Sequence, residues 1–148
     1  MQKRIQINNV EQIKAFRAML PLDAYLTQTT ISKTLKDLIK IRASQINGCA
    51  YCINMHTKEA IDNGETLQRI FLTSAWREAT RFFTEEEQTV LAITEEITLI
   101  HQHGLSDELY QKALQFFDED QIAALIMAIV TINAWNRIAI STHAQIED

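Results

Sequence analysis

Residues 35–60 read LKDLIKIRASQINGCAYCINMHTKEA, and this stretch decides how the chain folds. Leu35, Leu38, Ile39 and Ile46 recur at the three- and four-residue spacing of one helix face, and Ser32 stands before them as a side-chain cap. Gly48 should end that helix. The next helix opens on the cysteine pair and runs to Gly64, where Asn63 and Gly64 suit the left-handed conformation of a C-terminal cap. The cysteines therefore occupy the first turn of a helix.

Outward from this hairpin the same periodicity continues. Asn9 precedes an amphipathic segment carrying Val10, Ile13, Phe16 and Leu20, which reads as a helix over 10–20 ended by Pro21. A short segment with Leu22, Tyr25 and Leu26 follows. Beyond Gly64, Leu67, Ile70, Phe71 and Ala75 form an apolar face, and Thr84 with Glu87 reads as a capping box. Val90, Ile93, Ile97 and Ile100 line the helix it opens, and Gly104 closes that helix. Ser106, followed by Asp107 and Glu108, starts a short helix, and a last helix spans about 119–142. Its run AALIMAIV is apolar nearly all round, which fits the centre of a bundle or a subunit interface.

Composition agrees with an all-α fold. Three glycines and one proline in 148 residues are too few for turn-dense β architecture, and no stretch alternates at period two. The length suits a single domain over 1–148. A net charge of −5 without a basic run argues against nucleic acid as a partner. The amino terminus lacks the apolar region of a signal peptide, and the longest apolar run, Ile122 to Val130, is about half a membrane span. The expected location is therefore the cytoplasm, with no membrane association. In a reducing compartment a CxxC pair points to catalysis or metal binding rather than to a structural staple.

On a helix, Cys49, Cys52 and His56 fall within about 60° of one another, so the three share one stripe. Unpaired N–H groups at the helix start favour thiolate over thiol. Cys52 and His56 are four residues apart and face each other, which lets the imidazole move or share the thiol proton. A lowered thiol pKa alone gains little. Moving it from about 8.5 to about 6.5 raises the thiolate fraction roughly 25-fold, but the weaker nucleophilicity returns roughly eightfold of that. Cleaving a peroxide also requires protonating the departing oxygen, so a positioned acid such as His56 matters more.

Other readings of these residues are two buried thiols packed as small hydrophobes, or a zinc site. Zinc needs a second ligand pair, and His101 and His103 have no nearby cysteine. No metal or other cofactor is expected. His101, His103 and His143 are assigned no function. Trp76, Trp135 and Tyr51 read as packing residues, with a place at the border of a substrate entrance as the alternative for Tyr51 inside the CxxC. Arg137 and Asn133 either line a pocket or satisfy buried polar groups.

The pattern NGCAYCINMH resembles the CxxCxxxH motif of the alkylhydroperoxidase D core, within the carboxymuconolactone decarboxylase superfamily. SAWREAT (74–80), FTEEE (83–87) and INAWNR (132–137) are similar to a common subgroup of it, so the resemblance covers about 30–140. It implies a helical homo-oligomer, a trimer or a hexamer of dimers. It also implies a peroxidase that reduces small hydroperoxides, or a disulfide reductase, regenerated by a dithiol protein of lipoyl or thioredoxin type. Carried over by position, Cys52 attacks the peroxide, Cys49 resolves and meets the reductant, and His56 relays the proton. The family's glutamate twelve residues before the first cysteine is replaced by Asp37, one methylene shorter. Asp37 could equally form ion pairs with Lys33 and Lys40. A lyase acting on a carboxylated lactone and a non-enzymatic redox sensor are the competing functions. The lyase would need a basic cluster, for which Arg42 and Arg137 offer themselves.

Overall fold

A computed structural model describes residues 2–5 and 10–146. Among them every regular element is helical: α1 (Val10–Arg17), α2 (Leu20–Gln28), α3 (Lys33–Asn47), α4 (Ala50–Asp62), α5 (Leu67–Leu72), α6 (Glu85–Thr98), α7 (Asp107–Ala113) and α8 (Glu119–Thr142). Short 3-10 turns at Thr73–Ala75, Thr80–Phe82 and Ile100–Gln102 connect some of them. The all-α reading of the sequence holds. The Asn9 cap lies outside the described residues.

α3 is the hub, packing on α4, α6 and α8. Its residues enter three separate apolar clusters because they point to different sides. Leu35, Ile39 and Ala43 join Val90, Ile93, Ile122, Leu125 and Ile129; Leu38 meets Trp76, Phe83 and Leu91; Ile41 meets Ala60 and Ile70. α8 packs mainly through Ile122, Leu125, Ile129 and Ile132, while Val130 and Ile140 remain exposed. Its length and hydropathy would suit a membrane span, but its buried face belongs to the bundle's core and carries Asn133 and Asn136.

Local chemistry sets the boundaries. Ser32 accepts from the Leu35 N–H, Thr84 and Glu87 form a reciprocal capping box, and Ser106 caps α7. Four expectations change. Pro21 does not end a helix: α1 stops at Arg17 and Pro21 sits in the first turn of α2, where its missing N–H costs nothing. The apolar face expected from Leu67, Ile70, Phe71 and Ala75 is mostly exposed, and only Ile70 is buried. The helix tightens into a 3-10 turn after Leu72, and the three-residue period buries Ile70, Thr73, Trp76 and Ala79 instead. Likewise α6 ends at Thr98, before Gly104, so Ile100 falls on the following 3-10 turn and faces outward. At the end of α4 only Gly64 is left-handed, at φ +98°; Asn63 keeps right-handed helical angles.

Candidate active site

One residue turns α3 into α4. Gly48 adopts φ +68°, donates its N–H back to α3, and is followed at once by Cys49 as the N-cap of α4. Cys49 Sγ accepts from the Cys52 N–H at 3.3 Å, so the first sulfur sits on the positive end of the helix. The two cysteines are joined as a disulfide, with Cα atoms 5.3 Å apart.

This turn is fastened to α8 through amides. Asn47 Nδ2 donates to Asn133 Oδ1 at 3.0 Å and to Asn136 Oδ1 at 2.9 Å, and Asn136 Nδ2 donates to Ser44 Oγ at 3.0 Å. Asn133 completes the network with Thr98 Oγ1 and the Ile129 carbonyl. These amides position the start of α4, since a shift of Asn47 would take from the buried Asn136 Oδ1 its donor, while Asn133 Oδ1 keeps Arg137 Nη1 at 3.0 Å.

Cys49 and Cys52 are 1% and 2% exposed, packed with Ala139 and Ala144. They differ in what they face. Cys52 lines a cleft of about 730 Å³ together with His56, Tyr51, Met55, Trp135 and Ile138, and Cys49 does not line it. Tyr51, between the two cysteines, forms part of the wall. Lys3 and Ile5, and Ala144 to Ile146 near the other end, contribute too, and the Arg4 N–H donates to the Thr142 carbonyl at 3.0 Å.

His56 is buried on the α4 wall, and burial pushes its pKa below the usual histidine value, against a hydrogen bond with Glu59 that raises it. His56 Nδ1 lies 2.9 Å from Glu59 Oε2. Burial would raise the Glu59 pKa, but hydrogen bonds from His56 and Lys40 outweigh it and hold the carboxyl below its ordinary range. Lys40 Nζ reaches both Glu59 oxygens at 3.1 Å.

Asp37 is buried elsewhere. Its Oδ2 accepts from Asn63 Nδ2 at 2.8 Å and its Oδ1 lies 4.0 Å from Lys40 Nζ. Burial raises its pKa, only partly countered by Asn63. It lines a separate pocket of about 210 Å³ with Thr34, Asn63 and Arg69. The structure thus brings Cys49, Cys52 and His56 together and pairs the imidazole with Glu59, a residue the sequence reading passed over. The available signal was the i, i+3 spacing of His56 and Glu59 on one helix.

Neither arginine suggested for a carboxylate cluster reaches the cleft. Arg42 Nη2 pairs with Glu95 at 2.7 Å, and Arg137 Nη1 donates to the Asn133 carbonyl at 2.8 Å. His101 and His103 are exposed beyond α6.

Comparisons with known proteins agree with this geometry. The Carboxymuconolactone decarboxylase family profile matches residues 14–96. Uncharacterized protein YdfG of Bacillus subtilis (strain 168) is 44% identical over 128 residues, 86% of each chain. A protein of unknown function from Agrobacterium tumefaciens, for which an antioxidant defence role as AhpD has been suggested, superposes with a TM-score of 0.92 at 35% identity over 99% of both chains. The debrominase Bmp8 shares the fold at a TM-score of 0.76 and 21% identity, over 93% of this chain and 72% of its own. The profile match and the full-length relatives place this chain in the carboxymuconolactone decarboxylase family, with the alkylhydroperoxidase D-like fold.

Proposed function

We propose that the protein is a thiol-dependent oxidoreductase that reduces hydroperoxides, or disulfides, through the Cys49/Cys52 pair with His56 as proton relay. The observation that carries this reading is the shared cleft wall: Cys52 and His56, one helical turn apart, both line it, with Cys49 bonded behind Cys52. In the reduced protein, neutral His56 takes the Cys52 thiol proton. The Cys52 thiolate then attacks the terminal peroxide oxygen, the O–O bond breaks, and the imidazolium protonates the departing alkoxide to give an alcohol. Cys52 is left as a sulfenic acid. The Cys49 thiol displaces its hydroxyl as water, forming the disulfide and completing a two-electron reduction.

A dithiol protein of lipoyl or thioredoxin type closes the cycle. Because Cys52 lines the cleft and Cys49 does not, the cleft gives the reductant its approach to Cys52 Sγ. Cys49 then leaves as a thiolate, which the Cys52 N–H stabilises at the helix start. This inverts the division that the family resemblance implies for reduction, while keeping Cys52 as the attacking group. A reducing cytoplasm suits such a cycle. Assembly into a homo-oligomer would cover exposed apolar side chains such as Phe71 and Leu67, 72% and 56% exposed.

The test is peroxide consumption by the pre-reduced protein, first without a donor and then with dihydrolipoyl protein or thioredoxin. One equivalent of peroxide consumed per dithiol, followed by turnover with a donor, is the expected result. Oxidation no faster than that of a free small dithiol would reject the reading.

A further inference from the structure

A carboxylate offers no hydrogen, so in the His56–Glu59 bond the hydrogen sits on Nδ1 and Nε2 keeps the free lone pair. That fixes the tautomer. It also assigns the work of the ring, because only Nε2 is left to exchange a proton with the thiol and the leaving oxygen. The charged groups facing this imidazole are Glu59 on its own helix and Lys40 and Asp37 from α3. Of the two carboxylates, only Glu59 is hydrogen-bonded to it, while Asp37 turns to Asn63.

Glu59 alone would be a loose partner, since its side chain is 45% exposed. Lys40 removes that freedom by bonding both oxygens from the neighbouring helix. An ion pair this exposed adds little by its Coulomb energy; its effect is geometric, holding one rotamer of the carboxylate against the ring.

We propose that Glu59 is the positioning residue of the His56 relay, with Lys40 as its clamp, in the role that family resemblance gives to Asp37. The proposal rests on the reading of His56 as the group that moves the proton. Glu59 holds the Nδ1–H tautomer before the reaction and stabilises the imidazolium that forms between thiol deprotonation and alkoxide protonation. Lys40 keeps the carboxylate from swinging into water. The carboxylate of the relay has thus moved from the preceding helix to the helix that carries the histidine.

Two readouts test it on the full-length reduced protein: imidazole 15N chemical shifts of His56 across pH, and kcat/KM for peroxide. Glu59→Gln should lower the His56 titration midpoint and cut kcat/KM by at least about tenfold. Glu59→Ala should in addition replace the single Nδ1–H tautomer by a mixture. Lys40→Met should give a smaller loss of kcat/KM by freeing the Glu59 carboxylate. Asp37→Asn should move both readouts less than Glu59→Gln does. Equal or larger effects from Asp37→Asn, or an unchanged His56 titration in Glu59→Gln, overturn the proposal. If the wild-type protein consumes no peroxide, the oxidoreductase reading fails by itself, and the nitrogen shifts still decide whether Glu59 holds His56.

Discussion

Reducing the Cys49–Cys52 bond should leave the fold in place. The bond spans a sequence separation of only 3 residues, and closing so short a loop removes little freedom from the unfolded chain. In the chain-entropy description such a loop contributes about 2 kcal/mol at 25 °C. For a chain of this size that corresponds to a loss of about 4–8 °C in Tm. The reduced protein also keeps what surrounds the bond, since the Cys52 N–H still has Cys49 Sγ to donate to and the Asn47 network does not involve sulfur. The assay is thermal unfolding of oxidised and phosphine-reduced protein, followed by circular dichroism, with sedimentation to compare assembly. A Tm loss beyond about 15 °C, or a change of helical signal or oligomeric state on reduction, would refute the reasoning. It would show a disulfide that organises helix packing, which is the behaviour of a redox switch and not of a catalytic pair.

Three further outcomes follow from the site and its scaffold. Cys52→Ser should abolish peroxide reduction, whereas Cys49→Ser should permit one attack and leave a sulfenic acid on Cys52 that dimedone traps; a trapped sulfenic acid on Cys49 in Cys52→Ser protein, with activity retained, reverses the assignment. Because burial lowers the His56 pKa, the folded protein holds the ring neutral at pH 7, and its contribution to stability is present above about pH 6.5 and lost as pH falls through the lower folded value. Peroxide reduction should fail on the same side, with an acid limb centred below about 6.5 in the kcat/KM profile; activity that rises as pH drops through 6 contradicts neutral His56 as the initial base. Arg69 bonds Glu65 at 2.9 Å, Glu87 at 2.6 Å and the Phe82 carbonyl, so Arg69→Met strands two largely buried carboxylates and should cost about 3–5 kcal/mol in urea unfolding.

Features that depend on neighbours in sequence were legible without coordinates. Ser32, Thr84 with Glu87, Ser106 and Gly48 mark helix ends because a cap bonds a backbone group within a few residues, and α8 follows from its unbroken apolar periodicity. The stripe of Cys49, Cys52 and His56 is legible for the same reason. Pro21 was ambiguous, since proline both forbids the continuation of a helix and suits the start of one. Leu67 and Phe71 misled because hydrophobicity specifies a face only while the helical period lasts, and the change to a 3-10 turn redirected it. Asp37 and Glu59 illustrate a different limit. The family resemblance brings Asp37 to the histidine and helical spacing brings Glu59, but which carboxylate bonds it depends on Asn63 and Lys40, contacts that span 26 and 19 residues.

The position of α8 against the cysteine turn bears on how the protein is made. Asn47 finds its partners Asn133 and Asn136 only after α8 has left the ribosome, and Ala139, which covers the sulfurs, arrives with the same helix. A nascent chain that has already produced the CxxC therefore carries an unshielded thiol pair throughout the synthesis of α5, α6 and α7. During that interval the two sulfurs, held close by a separation of only 3 residues, are nonetheless open to a passing oxidant or a cysteine on another chain. Docking of α8 ends the exposure by burying both sulfurs and seating Asn47 in one event, so a translational pause before Asp118 would lengthen the period in which the pair can be misoxidised.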